Sequence, residues 1–250
     1  MNIIFEIGLN HMGRESYSDK YLNTLLSSDC DGITYQVREK EFYNNEAFKN
    51  SELSFSYYSH VIKKTHSCGK KFGIALADEN LIDNFEKVGV DFYKVLSWDL
   101  SNYKFINKLL KTNKPIYVST GMSSIEEITD FSKKYNGNDN IRLIHTQLSF
   151  DVEDVHLKAI PYLRELSSFP VGFLSHCKNP MVIYSSVSFE PSDIFIYVTA
   201  DEEKKHPDEP HSIKLIDVDK FVSNIKDLKL SIGKKTKIKM ENILDKENLK

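Results

Sequence analysis

The chain has 250 residues, with 33 Lys plus Arg against 36 Asp plus Glu and a formal net charge of −3. That balance excludes a nucleic-acid binder acting through a general basic field. Hydrophobic residues make up 40% and charged residues 28%, the ordinary mixture of a globular protein whose core needs no staples. No run approaches the roughly 18–20 apolar residues of a membrane span, so no membrane partner is expected. The opening MNIIFEIGLNHMG lacks a basic n-region and carries Glu6 and His11 early, unlike a signal peptide. Cys30, Cys68 and Cys177 are odd in number, widely spaced and without a CxxC pair. A reduced, cytoplasmic compartment is the expectation.

Short apolar, β-branched or aromatic runs alternate with segments of helical spacing. In chain order, a strand at 2–9 precedes a helix near 18–28, and one at 32–37 precedes a helix at 56–68. Strands at 71–77 and 92–97 are followed by helices at 81–88 and 102–112. The strand at 115–120 leads to a helix at 124–135, where Ser124 and Glu127 have capping-box spacing. Strands at 141–146, 170–176 and 194–200 precede helices at 155–168, 179–188 and 218–232. Gly69 and Gly89 follow helices as C-caps would. Pro115 and Pro170 open strands, where a missing N–H is tolerated.

Near-continuous apolar strands are the mark of a parallel sheet covered on both faces. Eight βα units match a single-domain (β/α)8 TIM barrel, typically ~250 residues long. An open doubly wound sheet is the alternative, but the chain has no GxGxxG phosphate fingerprint. The barrel is expected over 1–233, with a polar tail over 234–250.

Barrel chemistry sits at the C-terminal strand ends. Those ends carry Glu6, Asn10 and His11, then Gln36 and Arg38, then Asp78, then Lys94, Ser97 and Asp99. Ser119 and Thr120 follow, then His145, Thr146 and Gln147, then Ser175 and His176. Tyr197, Thr199 and Asp201 close the ring. Such a polar rim above an apolar barrel reads as a polar-ligand pocket, although single members can serve only as caps. Glu6 interrupts the apolar run IIFEIGL, and Lys94 interrupts FYKVL. A carboxylate in a barrel is costly unless paired, so Glu6 is a functional group or half of a structural ion pair. Lys94 could hold an anion, form a Schiff base, or pair with Glu6. His145 and His176 can each bind a metal, shuttle a proton, or be satisfied histidines. The loop DEEKKHPDEPHSI, with His206 and His211, is long enough to form a lid. Tyr57, Tyr58 and the scattered Phe residues read as packing.

The segments EIGLNHMG (6–13), YKVLSWDLSN (93–102), KPIYVSTGMSSIEEI (114–128) and PVGFLSH (170–176) resemble the sialic acid synthase family, in order and over residues 3–245. The resemblance implies a TIM barrel that condenses phosphoenolpyruvate (PEP) with a sugar aldehyde to a nonulosonic acid, in surface-carbohydrate biosynthesis. It implies a divalent metal, Mn or Mg, and a homodimer. It makes Glu6 an active-site carboxylate and His176 a metal ligand and catalytic group. It makes Lys94 and Ser97 PEP-binding residues, with Ser119, Thr120, Ser175 and Asn10 around the substrates. The departures are several. An anion-binding lysine of the family reads Thr34, the third-strand segment reads Ala75-Leu76-Ala77-Asp78, and the second metal histidine reads Tyr197. The chain stops where the family's small antifreeze-like domain would begin, so the acceptor is expected to be held otherwise, Arg38 being one means. Two other readings stay open: a non-catalytic sugar- or partner-binding descendant, and a different barrel aldolase or lyase.

Overall fold

The computed structural model describes residues 1–200 and 205–237. Eight strands form one parallel sheet: β1 (Asn2–Gly8), β2 (Gly32–Val37), β3 (Lys71–Leu76), β4 (Phe92–Val95), β5 (Ile116–Ser119), β6 (Ile141–His145), β7 (Val171–Leu174) and β8 (Asp193–Thr199). Each pairs with the next, and β8 pairs with β1 from Asn2↔Asp193 to Glu6↔Tyr197, which closes the barrel. A two-residue strand, β9 (Ile213–Lys214), adds to the end of β8. The helices are α1 (Glu15–Ser27), α2 (Phe55–Ser67), α3 (Ile82–Val88), α4 (Tyr103–Leu110), α5 (Ile125–Lys134), α6 (Ala159–Ser167), α7 (Met181–Ser186) and α8 (Val218–Ile232). This is the (β/α)8 architecture read from the sequence. Among the described residues no helix is long and apolar enough to cross a membrane.

The local signals act where the sequence places them. Ser124 Oγ accepts the Glu127 N–H, and Glu127 returns a carboxylate to the Ser124 N–H, completing the capping box of α5. Gly89 caps α3 in the left-handed region at φ +89°. The sixth helix differs: α6 starts at Ala159 rather than 155. Pro161 lies in its first turn, and an earlier start would press the proline ring against the carbonyl of residue 157. Residues 238–250 of the expected tail, and Asp201 at the last strand end, lie outside the described residues.

Strand residues alternate between two environments. Outward residues such as Ile33, Ile74 and Val118 join the main core beneath the helices. Inward residues Ile4, Phe92, Tyr117, Ile144, Leu174, Phe195 and Tyr197 form a separate cluster inside the barrel. Phe92 and Phe195 meet the Tyr117 ring edge-on at 5.2 and 5.1 Å between centroids. Gly73 makes room for this plug, since a Cβ there would lie 2.0 Å from Phe92 Cε2. Asp193 anchors its base, accepting from Asn2 Nδ2 at 2.6 Å and Tyr117 Oη at 3.1 Å. With the lower barrel filled, the space for a ligand lies at the C-terminal mouth.

Candidate active site

The next inward positions of β1 and β4 after Ile4 and Phe92 are Glu6 and Lys94. They meet across the barrel: Lys94 Nζ donates to Glu6 Oε2 at 2.7 Å, with side chains 3% and 1% exposed. The ion pair, one of the openings left by the sequence, is formed. It does not satisfy the acid fully, because Glu6 Oε1 is buried with no hydrogen-bond partner. A half-satisfied buried carboxylate is a costly arrangement for a purely structural pair.

Above the pair opens a cavity of about 270 Å³. Lys94, Ser97, Ser119 and Thr146 reach it from three strand ends, with Gln36 and Arg38 on one side and His176 and Tyr197 on the other. Asp208 and Pro207 of the loop after β8 cover the mouth. Arg38 is held by aromatic faces, its guanidinium carbon 4.0 Å from the Phe42 ring centroid and 4.8 Å from that of Trp98. Phe42, Phe48 and Trp98 all line the cavity, so these two Phe residues do more than the packing expected of them.

The covering loop is fastened by Asn10. Its Nδ2 donates to the Val198 carbonyl at 2.7 Å and reaches Ser212 Oγ at 3.5 Å, while its Oδ1 accepts the Asp208 N–H at 3.0 Å. Ser212 donates to the Asp208 carbonyl at 2.6 Å. Gly8, at φ +56°, admits the carboxylate: a Cβ there would lie 2.7 Å from Asp208 Oδ2. Burial, with Glu6 beyond it, pushes the Asp208 carboxyl up to about 7.

His176 Nδ1 is hydrogen-bonded with Thr146 Oγ1 at 3.2 Å. Its ring lies 4.6 Å from that of His211 and 5.5 Å from that of Tyr197. Burial, with the Lys94 charge next, lowers His176 to about 4; burial, with His176 and Lys94, lowers His211 to about 3. Both rings are therefore neutral at pH 7, the form that coordinates a cation. Among the described residues no three His, Cys, Asp or Glu side chains are already drawn together as a metal site. The donor chemistry nonetheless fits a divalent ion, because both His211 ring nitrogens are buried without a hydrogen-bond partner beside a second neutral imidazole.

The other candidates separate into two groups. Lys94, Ser97, Ser119, His176 and Tyr197 line the cavity, and Glu6 stands behind Lys94. Asn10, Thr120 and Ser175 are not among its lining residues. Thr120 Oγ1 donates to the Ile144 carbonyl at 3.0 Å, and Ser175 Oγ accepts the Cys177 N–H at 3.1 Å. His145 lies on the outer face of β6, where Nε2 bonds the Val155 carbonyl at 2.9 Å: it is a satisfied histidine. Asp78 accepts the Asn80 N–H and caps a short turn. His11 is buried against Tyr35, its Nδ1 accepting the Gly13 N–H at 3.0 Å.

Known proteins resemble this chain along most of its length. An uncharacterized protein of Methanocaldococcus jannaschii is 30% identical over 97% of this chain and 75% of its own length. N,N'-diacetyllegionaminic acid synthase of Legionella pneumophila is 26% identical over 97% of this chain and 76% of its own. The N-acetylneuraminic acid synthetase of Leptospira borgpetersenii serovar Hardjo-bovis superposes with a TM-score of 0.87 at 19% identity, covering 99% of this chain and 89% of that one, and so shares the fold. The model of the NeuB family matches residues 19–237. With that match across most of its length, the chain belongs to the NeuB family.

Proposed function

We propose that this protein condenses phosphoenolpyruvate with a sugar aldehyde to give a nonulosonic acid. The observation that carries the reading is the Lys94–Glu6 pair at the cavity floor, with Arg38 on the wall above it. PEP presents a carboxylate and a phosphate on three carbons. Lys94, Ser97 and Ser119 supply a cation and two hydroxyls at the floor, and Arg38 supplies a forked donor at the wall. The relatives named legionaminic acid synthase and neuraminic acid synthetase support this chemistry on this fold.

The reaction balances as follows. C3 of PEP attacks the aldehyde carbon, forming one carbon–carbon bond, and the aldehyde oxygen takes a proton. Water adds to C2 and loses a proton. Phosphate then leaves with its bridging oxygen, and C2 becomes the ketone. A divalent ion, when bound by His176 and His211, supplies a Lewis acid for the aldehyde oxygen. Glu6 holds the Lys94 ammonium toward the anion. Asp208, fixed by Asn10, covers the cavity above these groups. Asn10, Thr120 and Ser175 act by holding the loops that carry these groups.

Lys94 already donates to Glu6 in a closed floor, which disfavours the Schiff-base lyase. The test is phosphate release from PEP labelled with ¹⁸O at the bridging position, in the presence of Mn²⁺ and a panel of 2-acetamido aldoses. Sugar-dependent release of ¹⁸O-phosphate is the expected result. Release that stays at background with every sugar would overturn the reading.

A further inference from the structure

The resemblance leads one to expect a second metal imidazole on β8, where this chain has Tyr197. His211 occupies the space in front of that tyrosine. It ends a 3₁₀ turn, Glu209–His211, in the loop after β8. Its ring stands edge-on to Tyr197 at 4.6 Å and 89°. The His176 ring is also 4.6 Å away. The His211 side chain is 4% exposed, yet neither ring nitrogen has a hydrogen-bond partner. An imidazole buried with both nitrogens unmet is rare in a folded protein unless a ligand meets them. Asp208 Oδ1 lies 3.9 Å from His211 Nε2. That is too long for a hydrogen bond, but two donors each about 2.1 Å from one ion lie no more than about 4.2 Å apart. Asn10 and Gly8 fix Asp208 at that place.

We propose that His211 and His176 are the two imidazole ligands of a divalent cation at the barrel mouth, with Asp208 as the adjoining oxygen donor. A loop residue thus takes the place of the imidazole absent from β8. The proposal rests on the functional reading only in that a cation is called for. Binding draws the three groups closer than they stand now, since they do not yet form a closed site. Glu6, whose Oε1 is unpartnered, offsets part of the Lys94 charge that opposes the ion.

The experiment uses the full chain, stripped of metal and titrated with Mn²⁺. The free-ion EPR signal gives affinity, and electron spin echo modulation counts coordinated imidazole nitrogens. One saturable site with two such nitrogens is expected. His211→Asn and His176→Asn should each raise Kd at least tenfold and leave one nitrogen. Tyr197→His added to His211→Asn should restore the second nitrogen. Circular dichroism checks folding, and His211→Gln replaces His211→Asn if that variant does not fold. Unchanged affinity and two nitrogens in His211→Asn would overturn the assignment, as would a one-nitrogen wild type or no saturable binding at millimolar Mn²⁺. A two-nitrogen site lost in His211→Asn, in a protein that releases no phosphate from PEP, would contradict the proposed reaction and leave this site standing. Sugar-dependent release without His211-dependent binding would do the reverse.

Discussion

At the scale of single residues, Glu6 and Lys94 carry the most consequence. Both are legible in the sequence as charges inside apolar runs. Their pairing is not, because it joins positions 88 residues apart. Removing one partner strands the other in the barrel, at a cost of about 3–5 kcal/mol. Lys94→Met should therefore lower stability by roughly that amount in urea unfolding. Adding Glu6→Gln should recover most of it, because the stranded charge is gone. Neither variant should release phosphate from PEP. Full activity in the double variant would mean that the pair serves only the fold. Arg38 is legible as a strand-end cation, but its clamp between Phe42 and Trp98 is not, since the loop that brings Phe42 over has no regular period.

At the scale of elements, the strands and helices follow from local chemistry. Buried parallel strands read as apolar runs, and the α5 capping box is written in four consecutive residues. The loop after β8 is different. Its polar, charged residues carry no periodic signal, and long-range bonds to Asn10 set its path. Asp208 and His211 thus reach the site from a segment whose sequence shows only a possible lid. Asn10→Ala should release that loop without touching the cavity floor. Because the loop carries Asp208 and His211, steady-state kinetics should show KM for the sugar rising and kcat falling together; a variant with both unchanged would contradict the lid assignment. Gly8→Ala should act on the same loop by two routes. The left-handed backbone costs about 1–2 kcal/mol for alanine, and the new methyl displaces the Asp208 carboxylate. Thermal melting checks the first effect and kinetics the second.

At the scale of the whole molecule, the closed barrel buries several imidazoles in neutral form. Burial lowers His11 to about 3 and His176 to about 4, and it also lowers His145. An unfolded chain would protonate them near 6.5. Below that pH the unfolded state binds protons that the fold does not. Stability present above pH 6.5 is therefore lost as the pH falls toward 3. Urea midpoints should drop between pH 7.5 and 5. His11→Asn keeps an acceptor for the Gly13 N–H and should flatten that slope in part; an unaltered slope would remove His11 from the account.

The same closure puts Lys94, Ser97 and Ser119 at the floor of the mouth, and the proposal that this is a PEP site can be read directly. In PEP labelled with ¹³C at C3, the reacting carbon is a vinyl methylene before condensation and an aliphatic methylene after it. Carbon NMR of the full chain with labelled PEP, Mn²⁺ and 2-acetamido aldoses should show the vinyl signal replaced by that of a methylene bonded to a carbinol carbon. A vinyl signal that persists with every sugar, or one that turns only into the methyl of pyruvate, would contradict the account.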